Sequence, residues 1–113
     1  MACLFCQIAE GTQPADIVYT DEDVIGFRDI NPQAPQHVLF IPRRHVSTMN
    51  DFAREDAALI GKLSLAAQHY AKEQGFDPEG YRLVMNCNRM AGQTVYHVHL
   101  HLLAGRPMHW PPG

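Results

Sequence analysis

The residues best suited to chemistry in this sequence are three alternating histidines near its C-terminal end, His97, His99 and His101. Apolar residues lie between them, and a period of two is typical of a strand, which would place the three imidazoles on one face. Along a strand the outer two would be about 13 Å apart, too far to share one metal ion through bonds of about 2 Å, although two neighbours could still chelate.

A neutral imidazole can attack phosphorus at neutral pH, so this pattern indicates phosphoryl or nucleotidyl transfer. In this interpretation His99 is the nucleophile, and His101 beside it stabilises charge or transfers a proton. The alternative is that the histidines only line a half-buried sheet face, where each ring would need a hydrogen-bond partner.

The composition predicts one folded unit. The chain has 113 residues, of which 46% are apolar and 19% charged, and its formal charge is −3. This length predicts a single domain over residues 1–113, and the acidic balance argues against binding to nucleic acid or to an anionic membrane. The sequence has no apolar run of about 20 residues, no N-terminal signal pattern and an odd number of cysteines, so we expect a cytoplasmic protein with reduced thiols.

Hydrophobic periodicity predicts an α+β fold with four or five strands, one long helix and one short helix. Apolar residues that recur every three or four positions indicate the long helix, which has Gly75 as its C-cap. Alternating or continuously apolar runs, bounded by turn-forming residues, indicate the strands. The predicted helices cover residues 3–9 and about 53–74, and the predicted strands cover residues 17–20, 24–29, 37–41, 81–86 and 95–103.

The run GQTVYHVHLHLL and the ending GRPMHWPPG resemble the Hint branch of the histidine triad (HIT) family. The segments FRDINPQAPQHVLFIP and YRLVMN are also similar, so the resemblance extends from Phe5 to Gly113. It implies the HIT fold, in which each subunit has a five-stranded antiparallel sheet and the sheets of two subunits join across a homodimer. It also implies binding of purine nucleoside monophosphates, and hydrolysis of adenosine 5′-phosphoramidates to AMP and amine through a nucleotidyl-histidine, with no cofactor required for catalysis.

The same resemblance implies roles for individual residues. His99 would be the nucleophile, His101 and His37 would flank the α-phosphate, and His97 would hold the geometry of the strand. The carboxylate of Asp29 would accept hydrogen bonds from the ribose hydroxyls. The residues implied for the phosphate are Asn86 and the turn Gly92, Gln93, Thr94 and Val95, and those implied for the base are Phe5, Ile8, Phe27 and Ile30.

Two features beside the motif bear on the reaction. Many Hint relatives carry a serine that helps to protonate the leaving amine where this chain has Thr94, which keeps the hydroxyl but adds a methyl group. The branch of the family that cleaves diadenosine polyphosphates also carries threonine there, so dinucleoside polyphosphate hydrolysis is the alternative activity. The tail 105–113, with Trp110, favours the Hint branch, and we expect it to dock near the dimer interface or the active site.

A second candidate site involves cysteine. Cys3 and Cys6 form a C-x-x-C pair, which alone is as compatible with packing on a short helix as with metal binding. Some bacterial members of the family resemble this chain in combining such a pair with His45 and His97. Two cysteines and two histidines form a closed tetrahedral set, so the resemblance allows a structural zinc. A zinc-containing nucleotide-binding or scaffold protein without turnover is therefore a further alternative, although the intact triad weighs against it.

Overall fold

The sheet that carries the histidines is antiparallel and has five strands. The computed structural model describes residues 3–113. Its strands are β1 (Ile17–Thr20), β2 (Val24–Arg28), β3 (Gln36–Pro42), β4 (Arg82–Val84) and β5 (Leu100–Ala104), and its helices are α1 (Leu4–Glu10) and α2 (Ala57–Gln74). The strand order is β1-β2-β3-β5-β4. This architecture confirms the predicted α+β fold with one long and one short helix.

Strand β3 lies at the centre of the sheet because its side chains are apolar on both faces. Val38 and Phe40 pack in one hydrophobic cluster with Leu63 of α2. The alternate residues of β3 pack in a second cluster on the other face, where Phe5 and Ile8 anchor the short helix α1. Helix α1 therefore covers the face of the sheet on which the histidines lie. No helix within residues 3–113 is long and apolar enough to cross a membrane.

Helix α2 begins at Ala57 and not near residue 53, as the periodicity predicted. The residues just before it form two short 3-10 turns, 49–51 and 54–56. In each turn a carboxylate accepts a hydrogen bond from a backbone N–H three residues earlier, Asp51 from Thr48 at 3.0 Å and Asp56 from Ala53 at 2.8 Å. These local bonds close separate turns and delay the start of the regular helix.

The last predicted strand is also shorter than expected. Only Leu100–Ala104 is regular strand, so His97 and His99 lie in the irregular segment before β5. The ladder ends because β3 ends at Pro42, which has no N–H to donate. The backbone of the irregular segment is bonded elsewhere, since the Val98 N–H donates to the Val46 carbonyl at 2.7 Å. Strand β4 likewise covers only Arg82–Val84 of the predicted 81–86.

Candidate active site

His99 is held by the backbone two residues earlier. Its Nδ1 lies 2.8 Å from the carbonyl oxygen of His97. A carbonyl oxygen only accepts, so Nδ1 must carry the proton and, in the neutral ring, Nε2 keeps its lone pair. The ring is buried, and Phe5 of α1 contacts it edge-on with ring centroids 5.2 Å apart. His99 therefore has the tautomer and the fixed orientation that a nitrogen nucleophile needs.

His37 and His101 form a second hydrogen-bonded pair beside His99. The backbone N–H of Gln33 donates to Nδ1 of His37 at 3.0 Å, so Nδ1 is an acceptor and the proton of the neutral ring lies on Nε2. That Nε2 is 2.9 Å from Nδ1 of His101 and 3.4 Å from a carboxylate oxygen of Asp29. His101 accepts at Nδ1 and so carries its proton on Nε2, which has no partner within residues 3–113. An unpaired N–H thus lies on the ring next to His99.

Burial keeps these rings neutral. It lowers the pKa of His101 to about 4, and the neighbouring His99 and His37 act in the same direction, whereas Asp29 opposes them. Burial also lowers the pKa of His37 and outweighs the attraction of Asp29. At neutral pH His37 and His101 are therefore hydrogen-bond donors and acceptors and not imidazolium ions.

The histidines open into a cleft of about 540 Å³. Its lining combines polar residues, among them His99, His101 and Thr94, with apolar side chains of α1 and the sheet. Nine residues predicted for catalysis or nucleotide binding line it: Phe5, Ile8, Phe27, Asp29, Ile30, Thr94, Val95, His99 and His101. A cleft with apolar walls and a few polar groups is typical of small-molecule sites.

Several predicted residues lie outside the cleft wall. Asn86, Gly92 and Gln93 do not line it, and neither do His37 and His97, which act on it through the neighbouring rings. The side chain of Gln93 is buried and bonds only to backbone. It donates to the carbonyl oxygens of Ser47 and Val95 and accepts from the N–H of Asn88. These bonds hold the conformation of the turn 92–95, whose backbone was predicted to bind phosphate.

Gln33, whose N–H sets the proton on His37, was not predicted from the sequence. No side-chain pattern could have identified it, because the group that acts is a backbone amide in an irregular loop. Leu39, which lines the cleft, was not predicted as a site residue either. Leu39 was predictable only as a strand residue, since its exposure to the cleft depends on the pairing of β3 with β5.

The metal candidates converge at the other end of the irregular segment. The ligand atoms of Cys3, Cys6, His45 and His97 all lie within 4.8 Å of one another. Nδ1 of His97 is 3.5 Å from each sulfur, and Nδ1 of His45 is 3.3 Å from Cys6 Sγ. A sulfur and a nitrogen bound to one tetrahedral zinc would be about 3.6 Å apart, so the spacing fits that ion.

The protonation of His97 also fits a metal ligand. Its Nε2 lies 2.8 Å from the carbonyl oxygen of Pro42 and must donate, which leaves the lone pair of Nδ1 directed towards the two sulfurs. Nε2 of His45 lies 3.2 Å from the Ser47 hydroxyl, so this ring also has an outer partner. Without an ion, burial and the neighbouring Cys3 raise the pKa of Cys6 to about 11, whereas a bound cation would favour the thiolate.

Known proteins resemble this chain in sequence and in structure. Residues 10–108 match the HIT domain family. An Escherichia coli K12 protein named purine nucleoside phosphoramidase is 47% identical over 105 residues, which cover 93% of this chain and 88% of that protein. A HIT family hydrolase from Legionella pneumophila superposes with a TM-score of 0.97 at 50% identity, covering 99% of this chain and 100% of the other.

A zinc-bound histidine triad family protein from Mycobacterium smegmatis is more distant. Its TM-score is 0.80 at 35% identity, and the match covers 94% of this chain and 76% of that structure. The family match spans most of the chain, and the E. coli relative is close to half identical over most of its own length. The chain therefore belongs to the HIT domain family.

Proposed function

We propose that this protein is a purine nucleoside phosphoramidase, which hydrolyses the phosphorus–nitrogen bond of adenosine 5′-phosphoramidates. The observation that carries the proposal is the ring of His99, which has its Nδ1 2.8 Å from a carbonyl oxygen and lines the cleft. The identity of 47% to the E. coli protein of that name supports the substrate class.

In the first step Nε2 of His99 attacks the α-phosphorus. A nitrogen–phosphorus bond forms to His99 while the bond from phosphorus to the leaving amine breaks. The amine departs with the bonding electron pair and takes up one proton, for which the Thr94 hydroxyl at the cleft wall is the proposed route. The ring of His99 becomes positively charged, and its Nδ1–H bond to the His97 carbonyl strengthens accordingly.

In the second step water attacks the nucleotidyl-histidine. The bond between phosphorus and His99 breaks, the ring recovers its lone pair, and AMP is released with loss of one proton from the water. In both steps negative charge develops on the phosphoryl oxygens, and the unpaired Nε2–H of His101 is the proposed donor to them. Neither step requires a metal ion.

The remaining residues of the cleft bind and orient the nucleotide. The carboxylate of Asp29 is the proposed acceptor for the ribose hydroxyls, and the apolar side chains of Phe5, Ile8, Phe27 and Ile30 in the cleft wall are proposed to hold the purine. The backbone N–H groups of Thr94 and Val95 are proposed to donate to the phosphate, on the turn that Gly92 and Gln93 shape. Asn86 is proposed to approach the phosphate from the segment that follows β4. This arrangement needs no net positive charge to bind an anion.

We also propose that Cys3, Cys6, His45 and His97 bind a structural zinc, which the four-ligand geometry supports. A zinc in this place would tie the N-terminal segment to the segment before β5. The free cysteines support a reducing compartment, the cytoplasm. Residues 1–113 are proposed to form one domain that assembles as a homodimer, with the tail 105–113 near the interface or active site.

One experiment separates the candidate activities. Steady-state hydrolysis of an adenosine 5′-phosphoramidate and of a diadenosine polyphosphate would be measured with and without chelator for the wild type and His99→Ala. His69→Ala is the matched control, because His69 lies on the exposed surface of α2 and pairs with Glu73. The diadenosine polyphosphate is included because Thr94 favours the alternative activity.

We expect phosphoramidate turnover that survives brief chelation and disappears in His99→Ala. Faster turnover of the diadenosine polyphosphate would assign the alternative activity. Binding of AMP without turnover of either substrate would overturn the enzymatic proposal and leave a nucleotide-binding or scaffold protein.

A further inference from the structure

The loop between β2 and β3 controls which nitrogen of His37 carries a proton. The backbone N–H of Gln33 points at Nδ1 of His37 at 3.0 Å. An amide N–H does not ionise, so it excludes any form of His37 that carries a proton on Nδ1. Both the other neutral tautomer and the imidazolium would place two N–H groups against each other. The loop therefore permits only the Nε2–H tautomer.

The tautomer of His37 in turn determines the tautomer of His101. Because His37 must donate from Nε2, and that atom is 2.9 Å from Nδ1 of His101, His101 is driven to accept there. Its own proton then lies on Nε2, which is unpaired within the part of the chain that the structure describes. Two bonds in series thus connect a loop amide to the unpaired N–H of His101, a residue that lines the cleft.

Arg106, just beyond β5, holds the loop in place. Its Nε and Nη2 both donate to the carbonyl oxygen of Gln33, at 3.1 and 3.0 Å, and its Nη1 donates to the carbonyl of Pro107 at 3.0 Å. The adjacent Gly105 packs closely on the same loop, since a Cβ at that position would lie 2.8 Å from Cβ of Pro35. The loop is therefore fastened to the end of the strand that carries His101.

We propose that Gln33, clamped by Arg106, is a positioning residue for phosphoryl transfer, and that its backbone N–H sets the tautomers of His37 and His101. This inference rests on the proposed function for its effect on rate. Neither residue touches the cleft chemistry directly, because the effect passes through the two rings. The asymmetry of the site, with a lone pair on His99 and an N–H on His101, is then set in part by a loop outside the triad motif.

The test removes the N–H and leaves the rings intact. Gln33→Pro deletes the donor, whereas Ala34→Pro places the same ring one position further along the loop, at an N–H that makes no hydrogen bond within residues 3–113. Ring ¹⁵N chemical shifts of His37 and His101 distinguish protonated from bare nitrogens. For Gln33→Pro we expect mixed tautomers in both rings and a fall in kcat of about tenfold, with a smaller change in KM.

A second variant keeps the test decisive if proline disturbs the loop. Arg106→Met keeps the Gln33 N–H but removes the clamp, and we expect the same spectroscopic change in weaker form with a fall in kcat of about threefold. Arg106→Lys, which restores a single donor, should recover part of both. Unchanged tautomers in Gln33→Pro and in Arg106→Met would overturn the inference.

The inference and the proposed function can fail separately. A wild-type protein that hydrolyses neither nucleotide would overturn the proposed function, and the ring shifts of the variants would still decide what sets the tautomers. Normal wild-type turnover, with altered tautomers but unchanged kcat in Gln33→Pro, would overturn the positioning role.

Discussion

Two clusters that contain histidine meet at the irregular segment before β5, and they use this side chain in opposite ways. The metal cluster consists of Cys3, Cys6, His45 and His97, and the cleft cluster consists of His37, His99 and His101 with the carbonyl of His97. In the metal cluster, the carbonyl of Pro42 takes the Nε2 proton of His97 and leaves a lone pair facing two sulfurs. In the cleft cluster, the N–H of Gln33 acts through His37 and leaves an unpaired, buried N–H on His101. The backbone group that meets each ring decides which of its nitrogens carries the proton and which keeps a lone pair.

The clusters are not independent, because His97 belongs to both. Its ring faces the cysteines, while its carbonyl oxygen accepts from His99. Phe5 links them a second time, since its ring lies edge-on to His97 at 6.0 Å and to His99 at 5.2 Å between centroids. The comparison therefore predicts that chemistry and metal binding can be separated by mutation, even at Phe5, whose ring contacts both clusters.

The largest effect should come from removing the nucleophile. His99→Ala is expected to lower kcat/KM for an adenosine 5′-phosphoramidate by roughly 10⁴-fold or more, because no other group forms the covalent intermediate. Zinc content, measured by elemental analysis, should not change. A variant that keeps more than a hundredth of the wild-type rate would contradict the role assigned to this ring.

Breaking the metal cluster should affect stability more than rate. In Cys3→Ser with Cys6→Ser, we expect loss of bound zinc and a fall in the free energy of unfolding of about 3 kcal/mol, or roughly 12 °C in Tm. The kcat at 25 °C should stay within a few-fold. Cys87→Ser is the matched control, because Cys87 is outside the cluster and should leave zinc and Tm unchanged. Equal Tm values for the double variant and the control would refute a structural metal.

Acid should weaken the cleft cluster through its buried rings. The pKa values of His37 and His101 are lowered in the folded state, that of His101 to about 4, so the unfolded chain binds more protons at mildly acidic pH. Their contribution to stability is present above pH 6.5, the ordinary histidine value, and is lost as pH falls towards 4. Denaturant unfolding across this range should show a shallower pH dependence for His101→Gln than for the wild type. Identical slopes would show that His101 does not titrate as described.

The smallest effect should appear at Phe5, whose ring contacts a histidine of each cluster. Phe5→Leu keeps an apolar side chain in the cleft but removes the ring, and we expect the Kd for AMP to rise about fivefold. Its zinc content should remain the same. Phe52→Leu is the matched control and makes the same change on the opposite face of the sheet. There Phe52 packs against the hydrophobic cluster that contains Leu63 of α2, so this variant should leave AMP affinity unaltered. Calorimetric titration of both variants provides the measurement.

Much of the fold was predictable from periodicity, because β3 is continuously apolar and α2 repeats every three to four residues. The start of β5 was not, since it depends on Pro42 in a strand distant in the sequence. Most cleft-lining residues were predictable only through the resemblance to the HIT family. Gln33 escaped prediction because its contribution is a main-chain N–H, which has no signature in the identity of the side chain.

Strand β5 is the last strand in the chain but an interior one in the sheet, between β3 and β4. Until the ribosome has released it, β3 has a bare edge and β4 lacks the strand with which it pairs. Cys3 likewise cannot contact His97 until the chain has been extended by another 94 residues. The proposed nucleophile, the fourth proposed metal ligand and the interior strand of the sheet are therefore all supplied by one segment, 97–104, and are completed only once it has been synthesised. A chain that stops short of β5 should have neither site, and its open edges should make it a substrate for chaperones or proteases.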